Sequence, residues 1–207
     1  QTLIDETALP KLSVRLDLQQ LIMEKLDAAG YVYIGMDHFA RPDDELVKAR
    51  QAKTLYRNFQ GYTTHKNCDI IAFGASSISQ TEDVFVQNVK KLSDYYRLVG
   101  EGRLPVERGL RVTREDKLRR DAITRIMCDL EIDKAAFGQK WGIDFDSHFT
   151  DALDELKDMA NDGLITLTPE KITVTDPGRI FLRNIAMPFD AYLKQAADNK
   201  PRFSKTL

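Results

Sequence analysis

Two short apolar segments, rich in β-branched and aromatic residues, constrain the fold of this chain most strongly. Residues 31–36 (YVYIGM) and residues 69–74 (DIIAFG) each have the length and composition of a buried strand. A helical pattern over residues 13–29 precedes the first segment and ends at Gly30. Because a helix that leads directly into a buried strand is typical of parallel α/β sheets, we expect an α/β fold over residues 1–100.

The second half of the chain has a different pattern. Three helical segments precede two alternating segments, residues 164–168 and 171–175, which are joined by a short turn and predict a β-hairpin. Three helices followed by such a hairpin are typical of a winged helix. A turn-rich stretch around Pro105 lies between the halves. We therefore expect one domain over residues 1–100 and a mostly helical, winged-helix-like domain over residues 101–207.

The composition excludes several classes of protein. The 207 residues are 43% hydrophobic and 30% charged, which is typical of a globular chain that can bury a core. A formal net charge of -2 counts against a general polyanion binder, so we expect no nucleic-acid partner. The two cysteines, Cys68 and Cys128, are too few for a four-cysteine zinc site or a three-cysteine iron–sulfur site, and they fit a reducing cytoplasm. No apolar run is long enough to predict a membrane span.

A polar segment after the first predicted strand is one candidate ligand site. Asp37, His38 and Arg41 follow the carboxyl end of that strand, where α/β sheets bind ligands. An arginine in this position suits bidentate contacts with a carboxylate. The alternative is that Arg41 pairs with the acidic residues 43–45, and spacing alone does not decide between the two.

An aromatic loop is the second candidate. The amide side chains of Asn58 and Gln60 stand among Tyr56, Phe59 and Tyr62. Stacking and amide hydrogen bonds in such a loop can hold an adenine or a ribose. The alternative is a surface loop with aromatic anchors.

A winged helix often binds DNA, so a binding module is a further alternative. The natural recognition helix would begin at Ser147. It carries a single Lys157 among the acidic residues Asp151, Asp154, Glu155, Asp158 and Asp162. Because phosphate binding needs the opposite charge, the pattern disfavours DNA as a partner.

Several longer motifs resemble one known family. They are residues 34–46 (IGMDHFARPDDEL), 57–64 (RNFQGYTT), 73–79 (FGASSIS), 119–121 (RRD) and 183–185 (RNI). They closely resemble the oxygen-independent coproporphyrinogen III oxidases, also called coproporphyrinogen III dehydrogenases, which are radical S-adenosylmethionine enzymes of haem biosynthesis. The resemblance runs in order along all 207 residues, but it covers only the C-terminal half of the family's chain.

The resemblance implies a particular fold. Residues 1–100 would be the last part of a partial parallel β/α barrel, and the remainder would be the winged-helix-like domain. A barrel segment of only two or three strands leaves one sheet edge and an apolar surface exposed to solvent. We therefore expect that another copy covers this surface, or that the segment departs from the parent fold. The barrel interpretation fails if residues 31–36 and 69–74 are exposed and are not strands.

The resemblance also implies cofactors and a reaction. The full-length enzyme would use S-adenosylmethionine, an electron donor and a [4Fe-4S] cluster, whose C-x-x-x-C-x-x-C ligands lie in the missing N-terminal half. It would oxidatively decarboxylate two propionates of coproporphyrinogen III to vinyl groups and so give protoporphyrinogen IX. Because the sequence starts at Gln1 rather than Met, we expect it to be a piece of that chain and to be inactive alone.

Two residues of this sequence match positions where the family binds S-adenosylmethionine. The resemblance makes Ile78 an apolar contact for the molecule that is cleaved, and Gln60 a polar contact in the loop that binds a second one. For the substrate carboxylates we expect contacts from Arg41 and His38.

The haem-chaperone paralogues are an alternative family. They carry a His-Asn…Tyr-Trp signature where residues 56–60 of this sequence read YRNFQ, and this difference favours the oxidase.

Overall fold

The computed structural model describes residues 8–66 and 68–195 of the chain. They divide into two compact units, one formed by Gln1–Thr64 with Ala122–Leu207 and the other by His65–Asp121. This division differs from the domain boundary predicted between residues 100 and 101, which stays a prediction. No helix in the described ranges is both long enough and apolar enough to cross a membrane.

The N-terminal part of the first unit holds two helices and two small hairpins. Its elements are α1 (Leu12–Ala28), β1 (Val32–Gly35), β2 (His38–Ala40), α2 (Glu45–Gln51), β3 (Tyr56–Arg57) and β4 (Tyr62–Thr63). Both β1 with β2 and β3 with β4 pair antiparallel. Helices α1 and α2 both contact β1, whose Ile34 is fully buried. The carboxylate of Asp44 caps α2 by accepting a 2.8 Å hydrogen bond from the amide of Leu46.

The second unit is built on a three-stranded sheet. Its elements are β5 (Ile78–Gln80), β6 (Val84–Asn88), α3 (Leu92–Gly100) and β7 (Val106–Arg111), followed by α4 (Arg114–Thr124), which continues into the first unit. The strands run antiparallel in the order β5-β6-β7. Helix α4 begins with reciprocal contacts between Thr113 and Asp116, in which each side chain satisfies the other residue's amide.

The C-terminal part of the first unit is mainly helical and contains the largest core. After a π-helical turn (Arg125–Asp129) come β8 (Glu131–Asp133), α5 (Lys134–Trp141), α6 (Phe145–His148), α7 (Thr150–Asn161), β9 (Ile165–Leu167), β10 (Lys171–Val174), α8 (Leu182–Ala186) and α9 (Ala191–Gln195). The strands pair antiparallel in the order β8-β10-β9, which confirms the predicted hairpin. Phe137, Phe149 and Phe189 are fully buried, and Phe149 contacts both of the others edge-on.

The predicted parallel sheet is not formed by the described residues. Residues 31–36 do contain a strand with a buried end, β1, as expected. Its partner is β2, which follows after a two-residue turn at Met36 and Asp37 and therefore has to pair antiparallel. Every other strand pair in the described part of the chain is antiparallel as well. The fold of this segment is mixed helix and strand, and the partial barrel stays a prediction.

The prediction of a second strand over residues 69–74 is wrong. Only one isolated bridge joins Ile70 to Gln80, and the side chains of Ile71 and Phe73 are 63% and 86% exposed. The Ile70 amide donates to the Gln80 carbonyl in this bridge, but two later amides of the segment donate to side-chain oxygens instead of a neighbouring strand. Ala72 donates to the Ser79 hydroxyl at 3.0 Å, and Gly74 donates to the Tyr95 hydroxyl at 3.1 Å. Apolar composition predicted burial here, but it does not supply a strand partner.

Candidate functional site

Two hairpins of the first unit bring His38 against the aromatic loop. The imidazole of His38, on β2, meets the ring of Tyr62, on β4, edge-on with centroids 5.1 Å apart and planes at 81°. Its Nε2 faces Gly61, where an added Cβ would lie only 2.8 Å away. Gly61 also has a φ of +153°, a conformation that favours glycine. The position therefore has two physical reasons to lack a side chain.

The turn between β3 and β4 is fixed by Asn58. Its Oδ1 accepts hydrogen bonds from the backbone amides of Gln60 at 2.8 Å and Gly61 at 3.2 Å. The backbone amide of Asn58 donates to the Gly61 carbonyl at 3.0 Å. The side-chain oxygen of Asn58 is thus used to shape the turn. The side chain of Gln60 is exposed at the tip, so its amide remains accessible to a ligand.

Tyr62 anchors the second hairpin to the core. Its hydroxyl donates a 3.0 Å hydrogen bond to the carbonyl of Met127, in the π-helical turn. Burial raises the pKa of Tyr62 well above its ordinary value, so the phenol is neutral at physiological pH. Gly35 packs directly against this hydroxyl, and a Cβ there would overlap it. The Tyr62 hydroxyl therefore occupies space that is open only because residue 35 has no side chain.

Two arginines fasten neighbouring elements to β1. Arg50 donates from Nη1 and Arg179 from Nη2, the latter at 2.6 Å, to the same carbonyl oxygen of Tyr33. The guanidinium of Arg179 also lies over the Tyr33 ring, 5.1 Å from its centroid. Burial, and then the charge of Arg179, lower the pKa of Arg50. The two cations therefore act as structural donors that hold β1 in place.

Arg41 lies on the surface. Its Nε is 3.5 Å from Oδ1 of Asp43, and the two side chains are 75% and 80% exposed. The structure thus shows the contact that the alternative interpretation predicted, and ion pairs this exposed contribute little to stability. A substrate contact from Arg41 stays a prediction.

Ile78 lies in the second unit, at the start of β5, with its side chain half-buried. The loop that leads to it is held by Asn88, whose Nδ2 donates 3.0 Å hydrogen bonds to the Gly74 carbonyl and to the Ser77 hydroxyl. Ser77 in turn donates to the Gly74 carbonyl at 2.7 Å. Asn88 is itself buried, so this network gives the loop before Ile78 a defined shape. Gln60, by contrast, belongs to the first unit.

The cysteines do not form a cluster site. Cys68 is exposed in the second unit, and Cys128 is buried in the first. Within residues 8–66 and 68–195 no group of three or more His, Cys, Asp or Glu side chains could hold a metal ion. With two cysteines in all 207 residues, the chain lacks the three thiolates that a radical-enzyme cluster needs. These residues therefore do not fit a [4Fe-4S] cluster.

Comparison with protein families identifies the class of the C-terminal segment. Residues 112–181 match the family described as the HemN C-terminal domain. This segment includes the π-helical turn, the β8-β10-β9 sheet and the helices between its strands.

Curated relatives match the whole chain. An oxygen-independent coproporphyrinogen III oxidase of Salmonella typhimurium (strain LT2) is 43% identical over 207 residues, which are 100% of this chain and 45% of the relative. The protein of the same name from Thermostichus vulcanus is 43% identical and is covered to 63%. The chain therefore spans about half the length of these relatives. It is related along its entire length to the oxygen-independent coproporphyrinogen III oxidases, which confirms the resemblance seen in the motifs.

A solved structure shares the fold. It is described as coproporphyrinogen III oxidase (HemN) from Escherichia coli, a radical SAM enzyme, and it superposes with a TM-score of 0.86 at 42% sequence identity. The match covers 91% of this chain and 44% of that structure. The mixed helix and strand content described above is therefore similar to that of the corresponding part of that structure.

Proposed function

We propose that this chain is the C-terminal part of an enzyme that oxidatively decarboxylates two propionates of coproporphyrinogen III to vinyl groups, giving protoporphyrinogen IX. The observation that carries the proposal is the match over the full 207 residues, at 43% identity, to proteins that carry this activity in their name. The shared fold supports it at a similar identity. Since the chain spans about 45% of such a relative, the activity belongs to the full-length protein.

The residues of this chain fit a part in binding S-adenosylmethionine. Gln60 presents an exposed amide on a turn whose backbone is already hydrogen-bonded, and Ile78 offers apolar surface after a loop held by Asn88. When bound, S-adenosylmethionine supplies the hydrogen abstraction that starts decarboxylation. Ile78 would help to bind and orient the S-adenosylmethionine molecule that is cleaved, and Gln60 a second molecule, while the cluster ligands belong to the part of the enzyme outside this sequence.

We also propose that residues 101–207 form a winged-helix-like domain with a structural role. The sheet order β8-β10-β9, with helices α5 to α7 between its first two strands in the chain, supports this interpretation. The outer face of α7 carries exposed Asp151, Asp154, Glu155 and Asp158, and Lys157 pairs with Asp154 at 2.7 Å. This acidic face argues against a nucleic-acid partner. A cytoplasmic location stays a prediction.

The test is an anaerobic assay of the full-length protein after cluster reconstitution, with S-adenosylmethionine and coproporphyrinogen III. The proposal predicts protoporphyrinogen IX and matching consumption of S-adenosylmethionine. The 207-residue chain, assayed in parallel, should give no product because it supplies too few thiolates for the cluster. Stoichiometric haem binding by the full-length protein, without substrate turnover, would instead identify a haem chaperone and would overturn the proposal.

A further inference from the structure

The guanidinium of Arg57, on β3, has more hydrogen-bond donors than it has acceptors among the described residues. Its guanidinium lies over the ring of Tyr62, its cross-strand neighbour on β4, with Cζ 5.7 Å from the centroid. No hydrogen bond or ion pair joins the guanidinium to the part of the chain that the structure describes, and its Nε is fully enclosed. Because a guanidinium carries five N–H donors, several donors at this position have no protein acceptor.

His38 adds a second unpartnered nitrogen beside the same ring. Its Nδ1 is enclosed and has no hydrogen-bond partner within the described ranges, while Nε2 faces Gly61. The imidazole and the guanidinium of Arg57 thus both contact Tyr62. Enclosing a polar nitrogen without an acceptor is unfavourable, so two such nitrogens around one ring indicate that a ligand completes the arrangement.

Neither Tyr62 nor an ion pair within the described residues supplies a negative charge to Arg57. Tyr62 is kept neutral by burial, and its hydroxyl already donates to Met127. Among the described residues no Asp or Glu side chain forms an ion pair with Arg57, whereas the exposed Arg41 has Asp43 as its partner. The positive charge of Arg57 therefore has no carboxylate partner among the described residues, whereas that of Arg41 has one.

We propose that Arg57 and His38 form a carboxylate-binding subsite beside the β3–β4 turn, which also carries Gln60. A planar guanidinium with free donors suits a carboxylate, which it can bind through two parallel hydrogen bonds. The subsite rests on the proposed function, which offers two sources of this group. One is a propionate of the porphyrinogen substrate, and the other is the methionyl carboxylate of S-adenosylmethionine.

The experiment measures binding rather than turnover, in the full-length reconstituted protein. The first pair of ligands is coproporphyrin III and its tetraamide, which lacks the carboxylates. The second pair is S-adenosylmethionine and its decarboxylated analogue. The variants are Arg57→Gln, Arg57→Lys and the control Arg15→Gln, which removes an exposed arginine of α1.

Arg57→Gln should weaken binding of one carboxylate ligand at least about tenfold and leave its carboxylate-free analogue unchanged. The affected pair identifies the source of the carboxylate. Arg57→Lys should weaken the same ligand several-fold, because an ammonium cannot form the two parallel bonds, and it serves as the test if Arg57→Gln does not fold. Arg15→Gln should bind like the unsubstituted protein.

Binding of both carboxylate ligands by the Arg57 variants within about twofold of the unsubstituted protein would overturn the subsite alone. Equal weakening of a ligand and its carboxylate-free analogue would also overturn it, since that result means a structural role. If the unsubstituted protein bound neither porphyrin nor S-adenosylmethionine, the proposed function would fail, and the subsite with it.

Discussion

Gly35 is the position where one added methyl group should disturb the candidate site most specifically. In Gly35→Ala the new Cβ would overlap the Tyr62 hydroxyl, lie 3.0 Å from Cζ of the same ring, and lie 3.3 Å from Cδ1 of Leu182. The ring must therefore move. Overpacking of this kind costs about 1–3 kcal/mol. Displacing the hydroxyl also weakens its hydrogen bond to Met127, a loss of about 0.5–1.5 kcal/mol. We expect a total destabilisation of about 2–4 kcal/mol.

A double-mutant cycle assigns this loss to the hydroxyl. Tyr62→Phe alone should cost about 1–2 kcal/mol, because the buried Met127 carbonyl loses its donor. In the double variant the overlapping oxygen is gone. We therefore expect its destabilisation to be smaller than the sum of the two single changes by at least about 1 kcal/mol.

The assay is urea unfolding of the 207-residue chain, followed through the fluorescence of Trp141, the single tryptophan, which lies in the same unit. Gly100→Ala is the control, because no atom lies within 4 Å of the added Cβ. Because Gly100 is the last residue of α3, alanine there should not destabilise the chain. Additive losses within about 0.5 kcal/mol would refute the reasoning, because the hydroxyl would then not be the group that Gly35 accommodates.

Three further predictions follow from contacts elsewhere in the chain. Gly178→Ala places its methyl on a backbone carbonyl oxygen, so it should destabilise the first unit by about 3 kcal/mol or prevent folding, measured by the same urea transition. Asn88→Ala removes the hydrogen-bond donors that shape the loop before Ile78. It should weaken S-adenosylmethionine binding by the full-length protein by roughly fivefold to tenfold, about as much as Ile78→Ala does. Unchanged binding would contradict the proposed contact. The hydrogen bond from Lys53 lowers the pKa of Glu131 below 4.5, so its contribution is present above that value and is lost as pH falls through the lowered pKa. Glu131→Gln should thus be about 0.5 kcal/mol less stable at pH 7, and a difference that persisted in acid would be inconsistent with this pair.

The C-terminal hairpin was predictable because its information is local. Residues 164–168 and 171–175 alternate in polarity on either side of a short turn, and the two strands pair with each other in the structure. The third strand of that sheet, β8, was not predicted. Its three residues are too few to show an alternation, and the strand exists only because β10 offers a free edge.

The prediction for residues 69–74 failed because strand formation there depends on residues outside the segment. Apolar residues such as Ile71 and Phe73 predict burial, but whether a strand forms depends on which backbone is next to it. Here only Ile70 finds a backbone partner, at Gln80, while Ala72 and Gly74 donate to side-chain oxygens of Ser79 and Tyr95, all of which lie further along the chain. Nothing within the six-residue segment indicates these partners.

For the candidate site, the roles expected of His38, Arg41, Gln60 and Ile78 stay predictions, and the structure shows where these residues lie. His38 and the turn that carries Gln60 lie side by side in the structure, a proximity that the sequence analysis, which treated them as two separate candidates, did not predict. The position of Arg41 after a strand left two interpretations open; the structure shows its exposed pair with Asp43, and the substrate contact stays a prediction. Arg57 was overlooked because its lack of a partner is a property of the folded structure. Likewise, Arg179 and the Tyr33 carbonyl are 146 residues apart, which no local pattern reveals.

Release of labelled carbon dioxide tests the central claim most directly. Coproporphyrinogen III labelled with carbon-13 in its propionate carboxyl groups would be supplied to the reconstituted full-length protein under anaerobic conditions, with S-adenosylmethionine present and absent. The account predicts two molecules of labelled carbon dioxide for each divinyl product, and only when S-adenosylmethionine is present. No labelled gas from a protein that nevertheless carries an intact cluster would contradict it.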